Sequence, residues 1–142
     1  VEVERLEFTD TSVALDFDPG ENGYRAAALI TTLFGADTVS EYFAAGLDLV
    51  DQGATDAQIA QLVIDYGLLD TSSNTEFFST IYQNVTGIAP DLLTQALYVN
   101  QLDSGSLSQA GLVAIGSSAP VVQSQMSDLT TWQETGLAYI GF

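Results

Sequence analysis

The sequence predicts a mainly α protein, a compact bundle of about six or seven short helices behind an N-terminal β-hairpin. Three observations carry that expectation. Apolar residues from Gly23 onward recur at helical spacing, most of these stripes are headed by a capping signal, and residues 1–18 alternate with a period of two instead. A chain of 142 residues suits one domain with a modest core.

The hairpin comes first. Val1, Val3, Leu6 and Phe8 lead into the polar cluster Thr9-Asp10-Thr11-Ser12, after which Val13, Leu15 and Phe17 resume the alternation. An isolated hairpin is marginal in water, so this one must lean on the helices or on upstream strands. Residues 1–22 therefore read as a hairpin and acidic turn, 23–119 as a helical domain, and 120–142 as a terminal helix and tail.

The first helix spans residues 24–36, with Leu29, Ile30, Leu33 and Phe34 on one face and Gly35 near its end. Four capping boxes follow: Thr38 with Glu41, Thr55 with Gln58, Ser73 with Glu76, and Ser106 with Gln109. In such a box the two side chains satisfy each other's backbone N–H groups at a helix start. Behind them run Val39, Phe43, Leu47 and Val50; Ile59, Leu62, Val63 and Tyr66; Phe77, Phe78, Ile81, Tyr82 and Val85; and Leu107, Ala110, Val113 and Ala114. Pro90 at a first helical position opens residues 91–102, and Pro120 opens residues 121–132. Gly53, Gly67, Gly87, Gly105 and Gly116 mark the stops. The tail from Thr130 to Phe142, uncharged except for Glu134, suits an export signal, or equally a strand or helix closing the bundle.

Composition narrows the chemistry. The chain has no histidine, cysteine or lysine, so it has no catalytic triad, thiolate nucleophile, Schiff base or N/S zinc site. Nineteen acids against two arginines give a net charge of −17, yet 46% hydrophobic residues and a mean hydropathy of +0.21 argue for a folded chain. That charge repels phosphate backbones and anionic membranes, so nucleic acid is not an expected partner. Residues 110–116 form the longest weakly polar stretch, far too short for membrane insertion. With nineteen acids, chance alone will set some pair at a hydrolytic distance; Glu41 and Glu76 are explained as caps and Asp37 and Asp91 as first-turn charges, so catalysis by a carboxylate pair is not expected.

Residues 66–119 contain Tyr66-Gly67, Asn74-Thr75-Glu76-Phe77, Tyr82-Gln83-Asn84-Val85, Pro90-Asp91 and Gln101-Leu102-Asp103-Ser104-Gly105 in that order. With these motifs the segment resembles the DUF4214 family, a helical domain of bacterial secreted and surface-layer proteins. Ile88 and Ala89 stand where the family has an arginine before Pro-Asp, and Tyr98 where it commonly has a tryptophan. Upstream, residues 3–18 resemble the segment that joins calcium-binding RTX repeats to such domains, with Tyr24-Arg25 as the following Tyr-Arg pair. The resemblance implies a C-terminal module of a type I-secreted protein, extracellular or at the cell surface in an S-layer-like setting. It implies no enzymatic activity.

Two candidate sites follow from the residues. Asp16, Asp18 and Glu21 sit in an oxygen-rich turn, Asp16-Phe17-Asp18-Pro19-Gly20-Glu21-Asn22, that could wrap calcium, which takes six to eight oxygens. A turn plus N-cap leading into the first helix explains the same residues. Trp132 and Tyr139, if exposed, would form a partner-binding patch. Arg5 and Arg25 are expected to tie down acids. The expected function is a non-catalytic structural or interaction module supporting export or extracellular folding, its partners being other segments of a larger secreted protein. The alternatives are a calcium-dependent module binding surface polysaccharide or protein, and an accessory domain of a secreted hydrolase.

Overall fold

The computed structural model describes residues 5–7 and 11–140. Val1, Val3 and Phe8 of the expected hairpin, and the last two residues of the tail, lie outside these. Among the described residues the architecture is mainly α with an N-terminal antiparallel hairpin, as the periodicity predicts. Strands β1 (Arg5–Glu7) and β2 (Ser12–Ala14) pair with Leu6 opposite Val13. Seven helices follow: α1 (Asn22–Phe34), α2 (Val39–Asp51), α3 (Asp56–Asp65), α4 (Asn74–Thr86), α5 (Leu92–Ser104), α6 (Gln109–Ser118) and α7 (Leu129–Thr135).

The tail becomes a third strand, β3 (Leu137–Tyr139), antiparallel to β2 with Val13 opposite Ala138. Between the strand and helix readings of the tail, the structure has both, α7 up to Thr135 and then the strand. Gly136 lets the chain turn into it. Its φ is 80°, and a Cβ there would lie 2.5 Å from the carbonyl oxygen of Ala14, so any other residue would push the strand off its partner.

Helix α1 is the axis of the molecule. Ten of its thirteen residues are buried, and α2, α4 and α6 pack around it. Ala26, Ala27 and Ala28 keep its girth small enough for such neighbours. Its two buried hydroxyls are satisfied within the helix: Thr31 Oγ1 donates to Ala27 O and Thr32 Oγ1 to Ala28 O, both at 2.8 Å. Asn84 of α4 donates to Thr32 O across the packing, which fixes the two helices in register.

The capping signals divide. Thr55 and Gln58 form the full reciprocal box, and Ser73 accepts from Glu76 N without the return bond. Thr38 instead ends a single 3-10 turn (Ala36–Thr38), and its hydroxyl donates back to Gly35 O, so it cannot cap α2. Ser106 is engaged with Ser104 and Gln101 O, and Ser108 caps α6 through Gly111 N at 2.9 Å. Asp91, not a first-turn residue, is itself the cap of α5 through Thr94 N at 2.8 Å, which places Pro90 before the helix. Gly116 lies inside α6, close to Val85 and Thr32, so it serves helix packing instead of termination. Pro120 opens a 3-10 segment (Pro120–Gln125), and the expected helix 121–132 is broken there, resuming only at Leu129.

Candidate functional site

A groove of about 470 Å³ opens between α2 and α3, within the range of roughly 300–1,000 Å³ usual for ligand pockets. Its floor is Leu29, Ile30, Leu33 and Phe34 of α1. One wall is Tyr42, Ala45, Gly46 and Leu49 of α2. The other is Ile59, Leu62, Val63 and Tyr66 at α3, with Leu68 beyond. The groove exists because α2 and α3 both pack on central elements and barely on each other: α2 lies on α1, and α3 on α6. Gly46 lets α2 sit close to α1, since a Cβ there would lie 3.1 Å from Ile30 Cδ1. The Phe34 and Tyr42 rings meet at 5.0 Å and close the end near the α1–α2 connection.

The lining is apolar apart from the Tyr42 and Tyr66 hydroxyls. Tyr42, Leu62, Tyr66 and Leu68 are all exposed, Tyr66 to 78% and Leu68 to 61%. The acids stand outside it. Glu41 and Asp48 on α2, and Asp65 on α3, are exposed and roughly a quarter-turn from the lining positions of their helices, so they crest the two walls. Asp48 accepts from Gln52 Nε2 and Asp65 from Gln61 Nε2, each one helical turn away. The site is thus greasy below and negative above. It can hold apolar side chains, and its lining brings two phenol groups but no carboxylate or arginine.

This groove was not legible as a site. Leu62, Val63 and Tyr66 read as a core stripe, yet Ile59 and Ala60 are the buried residues of α3. The one available signal was an apolar stripe on α3 that continues past the helix into Leu68. A smaller apolar cleft of about 220 Å³ lies among α4, α5, α6 and the Pro120 segment, against Phe78, Tyr82 and Tyr98.

In the expected calcium turn, the acids make contacts within the protein. Asp16 is 3% exposed; its Oδ2 accepts from Gly23 N at 3.1 Å, and its Oδ1 pairs with the Arg5 guanidinium. Glu21 Oε1 accepts from Asp18 N at 2.9 Å, while Glu21 N donates to Asp18 O. Asp16, Asp18 and Glu21 therefore make the turn and helix-start contacts, and no cluster of three acids with metal-ligating geometry occurs among the described residues. Arg5 also holds Asp51 at 2.7 Å, joining the hairpin to the end of α2. Burial alone would lower the Arg5 pKa; the hydrogen bond and charge of Asp16, then Asp51 and Tyr139, outweigh it and raise the value. Arg25 reaches Asp56 at 3.2 Å, and Asp56 accepts from Ser117, so one acid links α1, α3 and α6.

Trp132 and Tyr139 need correction as an exposed patch. Trp132 is 7% exposed and packs on Phe17, centroids 5.4 Å apart, while Phe17 stacks on Phe43 at 5.7 Å. Tyr139 meets Phe43 edge-on at 5.5 Å. These rings are the seam between the sheet, α2 and α7. The return of the tail to β2 sets half-buried Tyr139 against Phe43, while Trp132 is buried from α7 against Phe17. Two exposed acids are acidified by local hydrogen bonds: Asp70 by the Ser72 hydroxyl and N–H, and Asp91 by the Thr94 N–H it caps.

Comparison with family models, curated proteins and solved structures finds no match to this chain. No helix among the described residues is long and apolar enough to cross a membrane.

Proposed function

We propose that the chain is a non-catalytic structural or interaction module of a type I-secreted extracellular or cell-surface protein, and that it takes up apolar side chains of a partner in the groove between α2 and α3. One observation supports the site: an open, pre-formed groove of about 470 Å³ whose walls carry nothing polar except two tyrosine hydroxyls. Exposed apolar surface of this kind costs solubility unless it meets a partner. The secreted setting is supported by the motifs at residues 66–119, the acid excess and the lack of cysteine.

A neutral solvatochromic dye, Nile red, tests the groove without interference from the protein's charge. Its fluorescence should rise and saturate at one dye per chain. Leu62→Gln with Tyr66→Gln should weaken that binding about tenfold or more, since two apolar side chains of the α3 wall are lost. Both residues are exposed, so the melting temperature should hold. Absent dye binding, or binding indifferent to the double substitution, rejects the site. The export half is tested by secretion of the chain through a type I exporter; retention of the folded chain inside the cell rejects it.

A further inference from the structure

We propose that the occupant of the groove is helix α5 of a second copy of this chain, so that copies join head to tail. This rests on the groove reading above and names its partner.

The donor surface is the outer face of α5. Leu92 is 84% exposed, Leu93 82% and Leu97 58%, with exposed Ala96 between them. Positions i, i+1, i+4 and i+5 form one continuous stripe on a helix. The opposite face of α5 is already engaged: Tyr98 stacks on Phe78 of α4 at 5.1 Å, and Leu102 is buried. The stripe is therefore spare. An apolar helical face laid between two helices is an established mode of recognition.

Charge and exposure together select this helix, since the acid-free α1 and α6 are largely packed into the core. In a chain of net charge −17, α5 carries no acid between its cap Asp91 and Asp103. A helix entering between the acid-crested walls of α2 and α3 must bring apolar side chains and no carboxylates, and the first turns of α5 meet that condition. The groove is formed by α1, α2 and α3, whereas α5 packs chiefly on α4, so donor and acceptor belong to different parts of the fold. Such a pairing is heterologous: however many copies join, one free groove remains at one end and one free stripe at the other, and the array grows. Mutual repulsion of the acidic copies opposes it. Salt therefore strengthens association, the reverse of an interface held by ion pairs.

Sedimentation velocity on the full chain tests this, first at about 0.01 M salt, where charges act over about 30 Å, then at about 0.5 M, where they act over about 4 Å. Mass should grow with protein concentration, and more so at high salt. Leu93→Gln with Leu97→Gln removes the donor, and Leu62→Gln with Tyr66→Gln removes the acceptor; all four changes are neutral and at exposed positions. Each double variant alone should be monomeric, with association weakened about tenfold or more. Mixed in equal amounts they should give a heterodimer and nothing larger, because one intact donor and one intact acceptor remain. The donor variant should still bind Nile red, which shows that it is folded with its groove open.

A chain that binds Nile red yet stays monomeric at high salt overturns the self-docking and leaves the groove standing. Association that survives either double variant, or variants that fail to complement, overturns it as well. So does a groove that takes a lysine-rich amphipathic peptide at low salt while the chain remains monomeric. Loss of dye binding in the unaltered protein removes the groove itself.

Discussion

Helices α1 and α5 are both thirteen residues long, both rich in apolar side chains, and neither contains an acid before Asp103. Their fates differ: ten residues of α1 are buried, against Leu102 alone in α5. Composition cannot separate them. Position does, because α1 is enclosed by α2, α4 and α6, while α5 has α4 on one flank and solvent on the other. The lesson is that apolar residues in this chain have two destinations, a core that is filled and a surface that is stocked. The two helix starts differ in the same way, since the entry to α1 is held by buried Asp16 and that to α5 by exposed Asp91.

The sharpest test of that contrast is truncation in the enclosed helix. Leu29→Ala, at a side chain 1% exposed, should cost about 2–5 kcal/mol in urea unfolding. A cost below about 1 kcal/mol would mean that the floor of the groove is not part of the cooperative core. Asp16→Ala comes next. It strips Arg5 of its buried partner and leaves the Gly23 N–H unanswered, although Asp51 still holds the guanidinium, so a loss of about 2 kcal/mol is expected. The loss should be the same in calcium and in chelator; dependence on calcium would show that the turn binds the ion.

At the α5 start the effect is smaller and depends on pH. The Thr94 N–H holds the Asp91 carboxyl below the usual aspartate range. A group with a lowered folded pKa stabilises the fold above its unfolded value, and that contribution fades as pH falls through the folded value. Asp91→Asn keeps an oxygen acceptor but cannot titrate. The variant should therefore lose less melting temperature than the parent between neutral pH and about pH 3. Parallel curves would show that the cap is not formed in solution. Smallest of all, Leu93→Ala on the outer face of α5 should leave unfolding within about 0.5 kcal/mol of the parent. A cost of core size would place α5 against a surface in the isolated chain.

Where a signal was local, the sequence disclosed the structure. Thr55 and Gln58 meet as a reciprocal box because both ends of that interaction lie within one turn of chain. Thr38 carries the same pattern, but the preceding 3-10 turn diverts its hydroxyl to Gly35 O, and nothing in Thr-x-x-Glu encodes that diversion. Pro120 correctly marked a helical start, though not the 3-10 geometry that ends at Gln125. Both arginines tie down acids as expected, but the partners Asp51 and Asp56 become visible only once α2 and α3 are placed. Trp132 was misjudged for the same reason, since its burial depends on Phe17 at the opposite end of the chain. The groove was the least legible feature. Leu62 and Tyr66 have the spacing of core residues, and only the gap left between α2 and α3 turns them into a surface.

The pairing of Ser12 with Tyr139 makes the last strand the partner of one of the first. Contacts between such distant segments form late, because a long loop must close before any reward is gained. Until residues 129–139 reach them, Phe17 and Phe43 lack the lid that Trp132 and Tyr139 provide. Closure of this part of the core therefore waits on a segment far along the chain, and the aromatic seam is the last piece set in place.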